Sequence, residues 1–319
     1  MAVAVVGPTA SGKSSLAVKI AKHFGGEVIS ADSMQIYKRM DIATAKVTKE
    51  EMQGVFHHLI DFVEPWESFS VAEYKNLALA CLDDITKRGK LPVIAGGTGF
   101  YVDTVINNTS FLDYEKTDVR KKILLRAQSE GTEALWNELF SVDKESAEKI
   151  HKNDLKRIVR ALELFETTGK TMTEQRRLSH LEKSGYNFCL IGLTAENRQF
   201  LYDRINTRVD LMLKNGLLEE TKRFFENEHS KTAKQAIGYK ELKPYLDGSL
   251  SLFDAAENLK RETRRYAKRQ LSWFRRNEKI NWLYIDKESE SSLFEKSLEI
   301  IQNFIEKAKG ESDEELKKL

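Results

Sequence analysis

GPTASGKS occupies residues 7–14, directly after the apolar run AVAVV at 2–6 and directly before SLAVKIAKHFG at 15–25. The run has the length and composition of a short buried strand. The segment after it puts Leu16, Ile20, Ala21 and Phe24 on one helical face, with Gly25 as its stop. Strand, glycine-rich turn and helix in that order make a phosphate cradle. Backbone N–H groups of residues 9–14 can converge on phosphate oxygens and the helix presents its positive end. Lys13 adds a charge, and the Ser14 hydroxyl can hold Mg²⁺. The residues expected around the phosphates are Gly7, Thr9, Ala10, Ser11, Gly12, Lys13 and Ser14.

Outward from this stretch, strand and helix signals alternate. EVISAD (27–32) reads as a second strand ending in an acid, HHLID (57–61) as a third and LPVIAGG (91–97) as a fourth. Before the fourth lies a helix at 70–89 whose Ser70 and Glu73 are spaced as a capping box. Such alternation predicts an α/β fold, a P-loop NTPase-like parallel sheet flanked by helices. From 113 to 186 only helical patterns occur, after which NFCLIGLT (187–194) and INWLYID (280–286) restore the strand signal. The organisation expected is therefore a core at 1–112, an all-helical insertion domain at 113–186, and completion of the core at 187–319. The last segment ends in a charged tail, KAKGESDEELKKL, without an apolar face and expected to fray.

Composition narrows the class. With 319 residues and 41% apolar content the chain can bury a large core. It has no run of about 18 apolar residues, and MAVAVVG leads straight into the glycine loop, so neither a membrane span nor a signal peptide is expected. The cytoplasm is the default compartment. Cys81 and Cys189 are far apart and lack metal spacing, which implies no disulfide framework or structural zinc and reads as core packing. His57 and His58 lack metal partners at useful spacing and read as packing or hydrogen-bonding groups. No apolar stripe calls for a partner subunit, so a monomer is expected.

Net charge is +2, but residues 257–279 hold nine Lys and Arg against three Glu. At helical spacing Arg261, Arg264, Arg265, Lys268, Arg275 and Arg276 fall near one stripe. That stripe suits either a phosphate backbone or plain solvation of a helix face. Tyr266, Trp273 and Phe274 interleave with it at spacings that fit a core-facing side.

The cradle does not by itself name its ligand. No Asn-Lys-x-Asp segment specifies guanine, and LPVIAGGTG ends in glycines and Thr98 where ATPases place an acid for Mg²⁺. Asp32 ends the second strand, facing the crevice of the phosphate loop, where it can transfer a proton, serve a metal or merely cap a turn. Thr98 follows two glycines, the position of a helix N-cap.

Nine motifs in order resemble the tRNA dimethylallyltransferase (isopentenyl-diphosphate:tRNA transferase) family, bacterial type. They are GPTASGKS (7–14), DSMQIY (32–37), TAK (44–46), HHLID (57–61), GGTGFY (96–101), ND-x-x-R-x-x-RALE (153–163), DRI-x-x-RVD-x-M-x-x-x-G (203–216), AIGYKE (236–241) and RRYAKRQ-x-x-WFR (264–275). Departures from the family pattern are mild: Ser14 for Thr, Ala43 and Val47 for the usual Gly and Pro beside TAK, and Ser272 for Thr. The resemblance implies transfer of a dimethylallyl group from its diphosphate to N6 of the adenosine 3′ of the anticodon, at position 37 of tRNA, with Mg²⁺ as cofactor. The loop would then hold a diphosphate, with Ser14 on the metal. Asp32 would be the base and Arg208 a second cation on the diphosphate, unless it serves only as a helix i,i+4 pair. Thr98 would orient the reacting groups, unless it is only a cap. The anticodon stem-loop would meet Asp32, Ser33, Met34, Gln35, Thr98, Lys156, Arg157, Arg160, Gly238, Tyr239 and Lys240, with Arg264, Arg265, Arg269 and Arg276 along the basic stripe. The rival expectations are a small-molecule P-loop kinase and an RNA-binding ATP-dependent protein.

Overall fold

A computed structural model describes residues 1–111, 118–179 and 184–316. The first part of the chain forms β1 (Ala2–Val6), α1 (Lys13–His23), β2 (Glu27–Ser30), α2 (Lys49–Met52), β3 (His57–His58), α3 (Val71–Lys87), β4 (Pro92–Gly96) and α4 (Gly99–Ile106). Then come α5 (Val119–Glu130), α6 (Thr132–Val142), α7 (Lys144–Lys149), α8 (Leu155–Thr168) and α9 (Met172–Ser179). The chain continues with β5 (Phe188–Thr194), α10 (Arg198–Lys214), α11 (Leu217–Phe225), α12 (Tyr239–Leu246), α13 (Leu252–Phe274), β6 (Asn281–Tyr284) and α14 (Glu290–Leu316).

The six strands make one parallel sheet in the order β3-β2-β4-β1-β5-β6. Alternation along β1 explains why both faces are covered. Ala2, Ala4 and Val6 point into a core with Ile94, Tyr74 and Leu82, while Val3 and Val5 point into another with Ile20, Val93 and Ile191. α3 begins at Ser70, whose hydroxyl accepts the Glu73 N–H while Glu73 returns to the Ser70 N–H, the capping box read from the sequence.

The chain divides into two compact units, Met1–Ile106 with Gly185–Leu319, and Asn107–Ser184. The expected boundary at residue 113 lies outside the described residues. The second unit packs its helices around Ile123, Leu135, Leu139, Ile158 and Leu162.

Two elements differ from the sequence reading. β3 is limited to His57 and His58, because Leu59 (φ 58°) and Asp61 (φ 57°) take left-handed backbone and turn the chain away. α14 runs to Leu316 through most of the segment expected to fray. It is anchored by Leu293, Ile301 and Phe304 in the core beside β1; residues 317–319 lie outside the described residues. Cys189 is buried in that same core, Cys81 packs half-buried on the other, and both are free. His58 Nε2 meets Glu27 Oε2 at 2.7 Å and His57 Nδ1 meets the Val55 carbonyl at 2.9 Å. Both histidines thus serve hydrogen bonds, and among the described residues no group of three or more His, Cys, Asp or Glu side chains could hold a metal.

Candidate active site

The ends of β1, β2 and β4 open on one side of the sheet, and a cavity of about 370 Å³ lies there. Thr9, Lys13 and Ser14 form its floor. Gly12, in left-handed backbone (φ 89°), turns the loop into α1. Ala10 is also left-handed (φ 62°), a costly state for a residue with a Cβ, and its carbonyl accepts from Arg204 Nε at 2.8 Å. The loop conformation is therefore held from α10.

Arg204 and Arg208 are one helical turn apart on α10 and divide the labour. Arg204 grips the loop backbone, while Arg208 lines the cavity with Nη1 donating to Thr9 Oγ1 at 3.3 Å. Among the described residues neither Lys13 nor Arg208 makes an ion pair. Lys13 Nζ donates to the Pro8 carbonyl at 3.3 Å. Burial, reinforced by the Arg208 charge and opposed by Asp32, pulls the Lys13 ammonium down to about 8. Burial likewise lowers the Arg208 guanidinium from its ordinary value. Two partly desolvated cations facing a cavity without a paired anion make an anion site.

Asp32 stands two residues past the end of β2 and lines the same cavity, its Oδ1 accepting the Met34 N–H at 3.0 Å. Thr98 begins α4 with its backbone carbonyl and does not itself line the cavity; its side chain meets Ser33, which does. Oγ1 accepts the Ser33 N–H at 3.0 Å and donates to Ser33 Oγ at 3.2 Å. Thr98 thus braces the turn that carries Asp32, Ser33, Met34 and Gln35. The Gln35 amide donates to the carbonyls of Thr44 and Ala45, joining the turn to the loop that forms the next wall. That loop hangs on Glu220 of α11, a buried carboxylate accepting the N–H groups of Asp41, Ile42 and Ala43 at 2.8–3.0 Å.

The opposite wall is apolar. Ile205, Val209, Met212, Leu217, Ile237 and Leu259 line it and continue into the core between α10, α12 and α13. One cavity therefore joins a cation-lined floor, a carboxylate and an apolar wall.

Gly238, Lys240 and Arg269 also line the cavity, as do Ser33, Met34 and Gln35. Tyr239 does not, and the expectation that it contacts RNA is corrected. Its side chain is 1% exposed, stacked on Phe224 at 3.9 Å with its hydroxyl bonded to Glu220, so it belongs to the core. On α13, Arg265 is exposed and Arg264 is half-buried, with Nη1 donating to Asn206 Oδ1 at 2.6 Å; Arg276, two residues past the helix end, is exposed. The exposed side of the stripe faces outward while Trp273 and Phe274 turn toward the core; Tyr266, expected on the core-facing side, lines the cavity instead. Trp273 donates to Asp103 Oδ2 at 2.7 Å. In the second unit, Lys156, Arg157 and Arg160 are exposed on the face of α8 opposite buried Ile158, Val159 and Leu162.

Residues 35–277 match a family model described as IPP transferase, and residues 1–64 one described as isopentenyl transferase. The chain belongs to the IPP transferase family. It is 52% identical over 288 residues to the tRNA dimethylallyltransferase of Caldanaerobacter subterraneus subsp. tengcongensis, covering 89% of this chain and 91% of that protein. A full-length tRNA isopentenylpyrophosphate transferase from Bacillus halodurans, solved by crystallography, superposes with a TM-score of 0.73 at 44% identity, covering 97% and 98% of the two chains. A eukaryotic dimethylallyltransferase acting on tRNA superposes with a TM-score of 0.83 at 29% identity over 96% of this chain and 79% of that one. Among the described residues no helix is long and apolar enough to cross a membrane.

Four supporting residues of this IPP transferase were not assigned to the site by sequence reasoning: Arg204, Glu220, Tyr266 and Gln270. Glu220 carried a signal, since an acid three residues after Leu217 and four before Phe224 lies on the apolar face of α11. Gln270 carried one too, as an uncharged polar residue on the side of α13 away from the basic stripe.

Proposed function

We propose that the protein transfers the dimethylallyl group of dimethylallyl diphosphate to N6 of the adenosine 3′-adjacent to the anticodon, position 37 of tRNA, and releases diphosphate. The observation that carries this reading is the pairing of Lys13 and Arg208, both without ion pairs among the described residues, with Asp32 and an apolar wall in one cavity. A diphosphate satisfies the two cations, a five-carbon chain suits the wall, and a carboxylate beside them suits proton removal. After β4 the chain continues Gly97, Thr98, Gly99, with no acid where an ATPase would hold its metal.

In this reaction the allylic C–O bond breaks as the C–N bond forms. Positive charge develops on carbon while extra negative charge passes to the departing diphosphate. Lys13, Arg208 and the loop N–H groups stabilise the leaving group. The exocyclic amine is a weak nucleophile because its lone pair is delocalised into the ring, so Asp32 takes its proton as the new bond forms, a contribution of about 10²–10⁴ in rate. Thr98 acts through Ser33, holding the turn from which Asp32 projects. The target base must leave its stack to reach the cavity, which single-stranded loop RNA allows. Ser33, Met34, Gln35, Gly238 and Lys240 then surround it. Arg265, Arg269 and Arg276 would meet the RNA backbone, and Lys156, Arg157 and Arg160 the anticodon stem-loop.

The donor set of the cavity fits Mg²⁺. The Ser14 hydroxyl and the Asp32 carboxylate, both on its wall, are hard oxygen donors suited to an ion that takes most of its ligands from phosphate and water. Ser14 would hold the ion, which when bound supplies neutralisation of the diphosphate charge. The reading takes a monomer acting in the cytoplasm as the working unit. The test is ligand stabilisation: dimethylallyl diphosphate with Mg²⁺ should raise the melting temperature of the protein, whereas stabilisation by ATP alone would favour a kinase or an ATP-dependent RNA-binding protein.

A further inference from the structure

Gln270 lies 5% exposed on the side of α13 facing the cavity, opposite the exposed basic stripe. Its Oε1 accepts the Thr9 N–H at 2.8 Å and its Nε2 donates to the Gly97 carbonyl at 2.9 Å. One amide therefore ties the phosphate loop after β1 to the glycine turn after β4. Each end of this tie continues toward a reacting group. Thr9, with its N–H committed to Gln270, receives Arg208 on its hydroxyl at 3.3 Å. Gly97 precedes Thr98, which holds Ser33 next to Asp32. The second glycine of GGTG is matched to this contact, since a Cβ on Gly97 would fall 2.2 Å from Gln270 Nε2.

Resting on the functional reading above, we infer that Gln270 is a positioning residue that fixes the spacing between the diphosphate cations and the Asp32 turn. It also has a direct consequence for the loop. The Thr9 N–H, expected from the sequence to face phosphate, is held instead by Gln270, so Thr9 contributes its hydroxyl and its hold on Arg208. A side-chain amide places a donor and an acceptor side by side at this point whatever the pH. A thioether of similar length offers neither, and an ionised carboxylate keeps the acceptor, loses the donor and opposes the Gly97 oxygen.

The test measures binding of inorganic diphosphate, with Mg²⁺, to the full chain by calorimetry, beside the melting temperature and tRNA affinity of each variant. Gln270→Met should weaken diphosphate binding by about tenfold, the size of two missing neutral hydrogen bonds, with tRNA affinity unchanged within about twofold. Gln270→Glu gives a readout that a packing role would not move. Its deficit relative to wild type at the same pH should shrink as pH falls toward about 5, where the new carboxyl takes up a proton and regains the donor. Diphosphate binding by Gln270→Met as tight as wild type would overturn the inference, as would a Gln270→Glu deficit independent of pH. Wild type that fails to bind diphosphate would instead overturn the reading of the cavity itself.

Discussion

The Tyr239 hydroxyl donates to Glu220 Oε1 at 2.9 Å, and the same carboxylate accepts three consecutive backbone N–H groups from residues 41–43. Four donors converge on a buried acid that makes no ion pair among the described residues. A helix residue thereby fixes a cavity wall that has no regular structure of its own. Glu220→Ala would strand these donors, each costing about 1–3 kcal/mol when buried unsatisfied, so a loss of at least about 3 kcal/mol is expected by urea denaturation. Tyr239→Phe removes one donor and leaves the carboxylate satisfied by three, so it should cost only about 1 kcal/mol with little change in turnover.

Lys13 sets a pH dependence whose sign follows from its lowered value. Its ammonium is pulled to about 8 from an ordinary 10.5, so above about 8 it loses its proton in the empty protein and diphosphate affinity should fall. Lys13→Arg keeps its charge in this range. The wild-type to Lys13→Arg affinity ratio should therefore drop about tenfold between pH 7 and pH 9, measured with inorganic diphosphate so that titration of the ligand cancels. For the empty protein the linkage runs the other way. The unfolded chain binds the extra proton between about 8 and 10.5, so this group makes stability rise with pH across that window.

Asp32→Asn preserves shape and the acceptor to Met34 but cannot take a proton. Turnover should fall by about 10² or more while tRNA affinity stays near wild type. Normal turnover would remove Asp32 from the mechanism.

The outward stripe of α13 is best tested where its charges are free of local partners. Arg264 bonds Asn206 and Arg265 bonds Glu262, whereas Lys268 and Arg275 are exposed and have no ion pair among the described residues. Replacing Lys268 and Arg275 by Ala should lower the slope of log affinity for tRNA against log salt by about one for each phosphate that the variant no longer neutralises. An unchanged slope would return the stripe to simple solvation.

Much of this was legible in the sequence because local signals suffice for it. The phosphate loop, the capping box at Ser70 and Glu73, and the strands β1, β4 and β5 each announce themselves within a dozen residues. Lys13, Asp32 and Arg208 were reached through motifs, and the fold brings all three to one cavity. What escaped depends on neighbours brought together across long stretches of chain. Gln270 meets Thr9 from 261 residues away, and Glu220 meets Asp41 from 179. Tyr239 misled for a related reason: an aromatic beside a glycine and a lysine looks available to RNA until Phe224 and Glu220 cover it. Thr98 shows the same limit, because the sequence offers it as a cap and only the fold reveals its hydroxyl at Ser33.

The most direct measurement incubates the protein with Mg²⁺, dimethylallyl diphosphate labelled in its five-carbon chain, and unmodified tRNA, then locates the label after nuclease digestion. The label should appear on N6 of the adenosine 3′-adjacent to the anticodon, with one diphosphate released per group transferred. Wild-type protein that leaves this adenosine unlabelled, while moving the terminal phosphate of ATP to an acceptor, would contradict the account.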